Sequence, residues 1–389
     1  MTKLARSSRA NTCRPSYLPF FAAALLPFCA APAQALVKFN DGRDEVFVTA
    51  TAGIGYDSNL FATADSDGDT SLNASLLVEY QRRAGMLGVD ASLGWDFSKY
   101  STYSDEDFAN PRFNGRLSKD GGRTTGSLAV NAQKENRADT AVNLRTESWN
   151  YGADLNVRYP VIERYSLSGN FGYGRQDFSE NDVLVDISMY HAGADLLYAL
   201  NSTRDLLVGY RYRTTDTTAD TTDRDHAVTA GVSGKIIGKL NGSARFGFQN
   251  REVDRDVGPD SDHDSLTATL STTWTLTSRF SLTGNVSKDF ATIATDESVD
   301  TTTLSVDGQY AVNSRTAAFA GLSYTHLKFL DTVSGGRDDD GLAFTAGASY
   351  AFNERLRLSA SYLYFQNWST LPTADYTRQS VSLNVTTRW

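Results

Sequence analysis

From residue 46 to the last residue, apolar and polar side chains alternate with a period of two in one segment after another. The final nine residues show it most plainly. Val381, Leu383, Val385 and Trp389 share one parity, and Ser382, Asn384, Thr386 and Arg388 hold the other. Successive side chains of a strand point to opposite faces, so such a segment is a strand with one greasy and one wet face. Further segments of this kind span 46–56, 72–80, 87–97, 113–117, 126–132, 151–159, 165–173, 190–198 and 206–212. Others span 228–232, 244–248, 266–276, 280–286, 304–312, 318–324, 342–352 and 356–364. With 381–389 that makes 18 strands, and a 3.6-residue helical period is absent throughout.

Connections between the strands alternate in kind. Five tight turns share a spelling: Tyr159-Pro-Val-Ile-Glu-Arg164, Tyr198-Ala-Leu-Asn-Ser-Thr-Arg204, Trp274-Thr-Leu-Thr-Ser-Arg279, Tyr310-Ala-Val-Asn-Ser-Arg315 and Tyr350-Ala-Phe-Asn-Glu-Arg355. Their spacing makes one hairpin the repeating unit. The intervening connections read as longer and acidic, at 65–69, 104–107, 252–264 and 331–340. Aromatic residues gather beside both kinds of connection: Tyr80, Tyr159, Tyr198 and Trp274 at one, Tyr56, Trp95, Tyr173 and Tyr364 at the other. Amphipathic rings collect at the two boundaries between lipid and water. The pattern therefore predicts an all-β chain: a closed antiparallel transmembrane β-barrel of about 18 strands, with short periplasmic turns and long acidic extracellular loops. An even strand count brings the first and last strands together and leaves no edge in hydrocarbon.

Composition adds the route. Lys3, Arg6, Arg9 and Arg14 precede an apolar stretch over 17–30 and the small-residue site Ala33-Gln34-Ala35, so 1–35 reads as a cleaved signal peptide. Residues 36–45 then form a short periplasmic segment and 46–389 the barrel. The formal charge of -9 becomes -13 once those four cations leave, and Cys13 and Cys29, the only cysteines, leave with them. Disulfides and cysteine–metal sites are thereby excluded from the mature protein. No apolar run reaches the ~18 residues of a membrane helix. An outer-membrane location in a Gram-negative cell follows, with lipid and the barrel-assembly machinery as partners.

The wet parity should line the lumen. Its candidate pore-lining charges are Arg112, Arg116, Asp154, Arg158, Arg211, Arg213, Arg245, Arg251, Asp307 and Arg357. Such residues either cross-brace the wall or offer hydrogen bonds to a hydrated, sugar-like solute, and both can hold together. Barrels of 16–18 strands leave an aqueous channel. No catalytic constellation stands out: the four histidines are scattered, and Ser323 and His326 fall on opposite faces of a strand. No metal or cofactor is expected, although Asp254–Asp264 and Asp338-Asp-Asp340 carry carboxylates of the kind that bind Ca²⁺. A negative chain without a basic patch speaks against nucleic acid.

Gly53-Ile-Gly-Tyr-Asp-Ser-Asn-Leu-Phe61 closes the first strand. This stretch, the run of hairpins and the terminal aromatic strand resemble a family of porin-like outer-membrane barrels associated with exopolysaccharide secretion gene clusters. The resemblance implies a conduit for exopolysaccharide, served by periplasmic export components. Tyr56, Asp57, Asn59, Leu60 and Phe61 would be its family motif, and Val381, Leu383, Val385 and Trp389 its assembly signal. Trp389 departs from the commoner terminal phenylalanine. From the residues alone, Asp57 and Asn59 are also suited to an Asx turn. The alternatives are a general or selective porin for small solutes, or a surface adhesin or barrel enzyme.

Overall fold

Eighteen long strands follow one another in antiparallel order, with a short strand before them. The computed structural model describes residues 35–83, 85–142, 144–179, 183–330 and 336–389. The expected signal peptide lies outside these residues, apart from Ala35. In chain order the strands are β1 (Val37–Phe39), β2 (Asp44–Asp57), β3 (Asp69–Arg82), β4 (Gly88–Tyr100), β5 (Phe108–Lys119) and β6 (Thr125–Asp139). Next come β7 (Leu144–Ile162), β8 (Tyr165–Phe178), β9 (Ile187–Asn201), β10 (Arg204–Thr217), β11 (Thr221–Ile237), β12 (Leu240–Arg255) and β13 (Ser261–Thr275). The set ends with β14 (Phe280–Thr292), β15 (Ser298–Ala311), β16 (Thr316–Phe329), β17 (Asp338–Ala351), β18 (Leu356–Ser369) and β19 (Tyr376–Arg388).

Each long strand pairs with its neighbour in sequence, and β19 pairs with β2 from Ser380↔Asp57 to Arg388↔Thr49. Below that register, Val48 and Trp389 exchange both backbone hydrogen bonds at 2.9 Å. The ring is closed, so the lipid-facing ladder has no free edge. Where β19 ends, β1 folds back and continues the pairing along the same edge of β2 (Val37↔Val46 to Phe39↔Asp44).

The greasy parity points outward. Leu72, Leu93, Leu155, Leu167, Leu196, Val208, Leu322 and Leu383 are all exposed on the outer wall. The repeated turn spelling has a backbone cause. Asn313 Oδ1 accepts the N–H groups of Arg315 and Thr316 at 2.8 Å, and Asn353 Oδ1 those of Arg355 and Leu356 at 2.9 and 2.8 Å. Thr277 Oγ1 does the same for Arg279 and Phe280 at 3.2 and 3.0 Å. An Asn or Thr at that position satisfies the N–H groups that a tight turn leaves over.

One acidic connection is shorter than its composition suggests. Of residues 252–264, only 256–260 form a connection, because β12 runs to Arg255 and β13 starts at Ser261. Backbone pairing continues past the lipid band, where nothing demands an apolar face, so the alternation stops before the strand does.

Candidate solute pathway through the barrel

The wet parity encloses a cavity of about 1860 Å³ to which every strand from β3 to β19 contributes. Of the charges expected there, Arg116, Asp154, Arg211, Arg213, Arg245, Arg251 and Asp307 border it, while Arg112, Arg158 and Arg357 do not. Arg112 lies beside Asp96 of the neighbouring strand (3.3 Å). Arg158 donates to Asp205 at 2.9 Å, and Arg357 sits at the short-turn end of β18.

Several of these charges brace the wall. Arg245 holds Asp195 by two bonds of 2.8 and 3.0 Å across the intervening strands β10 and β11. The carboxylate passes over Gly209, where a Cβ would lie 2.0 Å from Asp195 Oδ1, so only glycine clears the path. A longer chain of pairs runs above it. Arg211 grips Asp289 at 2.7 and 2.8 Å, and Arg213 bonds both Asp225 (2.5 Å) and Asp289 (3.4 Å). Arg251, fully buried at 0 % exposure, forks onto Asp225 (2.6 and 2.9 Å) and reaches Asp223 (3.1 Å). Asp223, Asp225 and Asp289 escaped the sequence reading. Lumen parity extended along β11 and β14 would have marked them, but they lie beyond the apolar segments.

That network has a structural reason. Hydrogen bonding between β13 and β14 stops at Ala268↔Lys288, although β14 continues with β15 to Thr292↔Ser298. The long-loop end of β14 therefore parts from β13 and, still joined through β15 to β16 as far as Val299↔Phe329, leans into the lumen. Phe290 O, on the edge that β13 no longer covers, accepts from Arg213 (2.7 Å), and Ala291 O accepts from Arg251 (3.0 Å). Buried backbone acceptors are nearly always paired, and here arginine replaces the missing strand. Thr267 Oγ1 donates to Lys288 O (3.1 Å), and Ser265 and Lys288 both bond Asp300 (2.7 and 2.6 Å), which fills the opened seam.

A second hairpin behaves alike. Pairing of β5 with β6 ends at Arg112↔Gln133, whereas β6 and β7 stay paired to Asp139↔Leu144. Pro111 stands at the break, and a proline has no N–H to offer a ladder partner. The tip of this hairpin reaches roughly half the circumference across the barrel. Ala141 packs with Ile293, Val299, Leu327 and Phe329, and Arg337 donates to the carbonyls of Ala141 (3.0 Å) and Thr140 (3.4 Å). Two inward hairpins thus meet inside the long-loop mouth and narrow it.

The 53–61 motif forms the clasp of the closing seam. Asp57 receives the Arg378 guanidinium at 3.0, 2.9 and 2.5 Å and the Asn59 N–H at 3.1 Å. Asn59, fully buried, donates to the carbonyls of Thr63 (2.7 Å) and Thr377 (3.3 Å). These bonds steer Leu60 and Ala62 inward, where Ala62 packs with Ala343, Phe365 and Tyr376. Phe61 meets Tyr103 edge-on at 5.1 Å. Partial burial there and the neighbouring Asp67 carboxylate push the Tyr103 phenol above its ordinary range. Asx chemistry and loop packing therefore occupy these residues.

The terminal strand presents Val381, Leu383, Val385 and Trp389 on its exposed outer face, and Arg355 lies over the Trp389 ring at 4.4 Å. Ser323 borders the cavity while His326 bonds Asp340 (2.9 Å), so the two stand apart. Among the described residues no group of three or more metal-ligating side chains converges, and no helix is long and apolar enough to cross a membrane.

Residues 222–389 match the family model described as "Putative beta-barrel porin 2". Among solved structures, the FrpB iron transporter of Neisseria meningitidis is similar at 11% identity and a TM-score of 0.47, over 83% of this chain and 62% of that one. OccK2 (OpdF) of Pseudomonas aeruginosa is similar at 10% identity and 0.49, over 89% of this chain and 97% of its own. OccK9 (OpdG) of the same organism gives 14%, 0.49, 89% and 98%. At these identities the likeness concerns the fold alone. No curated protein sequence matches the chain.

Proposed function

We propose that this porin-like outer-membrane barrel is a channel for hydrated, hydroxyl-rich solutes. The carrying observation is the wall of the cavity, where Asn131, Asn156, Asn170, Ser305, Ser361 and Asn384 stand between charges that are largely paired with one another. Such a wall exchanges hydrogen bonds with a hydrated solute without holding it by net charge. Hydrophilic walls and a water-filled interior are what a barrel of this strand number offers. The inward hairpins set the size limit. Purified protein in planar bilayers should give ohmic steps in KCl, and proteoliposomes should swell in sugars at rates that fall with sugar size. Folded protein that gives neither sinks the reading.

A second reading makes the solute an exopolysaccharide strand leaving the cell, and the resemblance of Gly53–Phe61 supports it. Its test is genetic. Deletion should trap polymer inside the envelope while synthesis continues, and unchanged surface polymer would remove this reading while leaving the channel. On either reading, the exposed face of β19 through Trp389 is the segment that the assembly machinery would grasp.

A further inference from the structure

Where β6 turns away from β5, the lumen contains buried polar atoms that the protein itself leaves without partners. Asn110 on β5 is 5 % exposed, and Thr146 and Asn150 on β7 are each 3 % exposed. Asn110 Oδ1, Asn150 Oδ1 and Thr146 Oγ1 make no hydrogen bond within the described residues. All three residues have lumen parity, and Asn110 and Asn150 border the cavity together with Phe108, Gln133, Glu135 and Arg137. The register places them around the end of the β5–β6 ladder. Asn150 stands beside Gln133 in the β6–β7 ladder, and its amide donates to Glu135 at 3.3 Å. Gln133 donates to the same carboxylate at 2.5 Å. Asn110 would face Glu135 if the β5–β6 ladder continued past Arg112↔Gln133, but there the strands have parted.

Buried polar groups in proteins are almost always paired, so a cluster that is not asks what it is for. The unmet atoms of Asn110 and Asn150 are amide oxygens, which need donors. Two ligand classes bring several donors at once: a polyol and an organic cation. Charge decides between them. Glu135 already lies 4.0 Å from Arg137, Arg137 bonds Asp139 at 3.3 Å, and Lys134 pairs with Glu147 at 2.7 Å. A cation entering here would find each carboxylate already engaged, Glu135 by Arg137 and two amides, Asp139 by Arg137 and Glu147 by Lys134. A neutral hydroxylated ring needs no free counter-charge. Phe108, two residues before Asn110 on the same face, borders the same space and offers an apolar surface to the C–H face of a sugar.

We infer that the recess between β5 and the inward β6–β7 hairpin is a binding subsite for a neutral carbohydrate, with Asn110 and Asn150 accepting its hydroxyls and Phe108 stacking on its ring. This rests on the channel reading for its biological sense, but not for its test. Calorimetry of the detergent-folded full-length protein with maltohexaose measures binding whether or not the barrel conducts. Wild type should bind, and Asn110→Leu and Asn150→Leu should each weaken binding by about tenfold, the scale of one hydrogen bond. Phe108→Ala supplies a variant that leaves the polar cluster untouched, and it should weaken binding as well. Asn110→Asp, which keeps the acceptor, should retain it. Each variant is compared only where its unboiled gel mobility matches wild type. Absence of maltohexaose binding, equal binding by all variants, or stronger binding of spermidine than of sugar overturns the proposal. Bilayer conductance in the same preparations separates the two failures: conducting pores without sugar binding sink only the subsite, whereas binding without conductance sinks only the channel.

Discussion

Arg251 shows how much one side chain can hold in place. It has no contact with solvent, it bonds two carboxylates from β11, and it donates to the Ala291 carbonyl of β14. Removing one partner of a buried pair strands the others, at a cost of about 3–5 kcal/mol. Arg251→Met should therefore lower the urea midpoint of detergent-folded protein substantially. Arg251→Lys should recover only part of the loss, because an ammonium cannot fork onto Asp225 while reaching Asp223. Equal midpoints for wild type and Arg251→Met would show that the network is incidental. That Arg251 faces inward was legible from parity. Its partners were not, since Asp223 and Asp225 sit among Thr and Asp residues with no apolar beat to mark them as strand.

At the scale of the element, the strands themselves could be read almost completely, because lipid outside and water inside force alternation on every one of them. The inward hairpins could not. Their upper halves keep strand geometry while changing surroundings: Phe290, on the parity that faces outward lower in β14, is buried. Nothing in the local pattern of 289–299 separates the two outcomes. Pro111 was a cue, yet a proline in a strand marks an interrupted ladder without saying which hairpin moves or where. The motif at 53–61 was legible as an Asx turn, and Asp57 performs that role by accepting the Asn59 N–H, while the buried Asn59 side chain ties down Thr63. Arg337 tests the element directly. It fixes the β6–β7 tip to the opposite wall through the Thr140 and Ala141 carbonyls and is itself held by Asp339 at 3.0 Å. Freeing the tip with Arg337→Gln should raise single-channel conductance and its fluctuation, and excising 140–142 should raise it by roughly twofold and admit larger sugars, since conductance follows the narrowest section. Unchanged conductance on excision would mean that the constriction lies elsewhere.

The whole molecule depends on a single sorting of side chains, apolar to the bilayer and polar to the lumen, closed into a ring by the β19–β2 ladder. The fold and its outer-membrane setting follow from that sorting, while the identity of the solute depends on details of the lumen that periodicity does not encode. Adjacent residues of β8 measure the sorting most directly: Leu167 is exposed on the outer wall and Ser168 borders the cavity. In proteoliposomes, a charged, water-soluble maleimide should label Ser168→Cys through the lumen and leave Leu167→Cys unmodified, whereas a lipid-soluble maleimide should label Leu167→Cys. Labelling of both positions by the charged reagent, or the reverse pattern, would contradict the account.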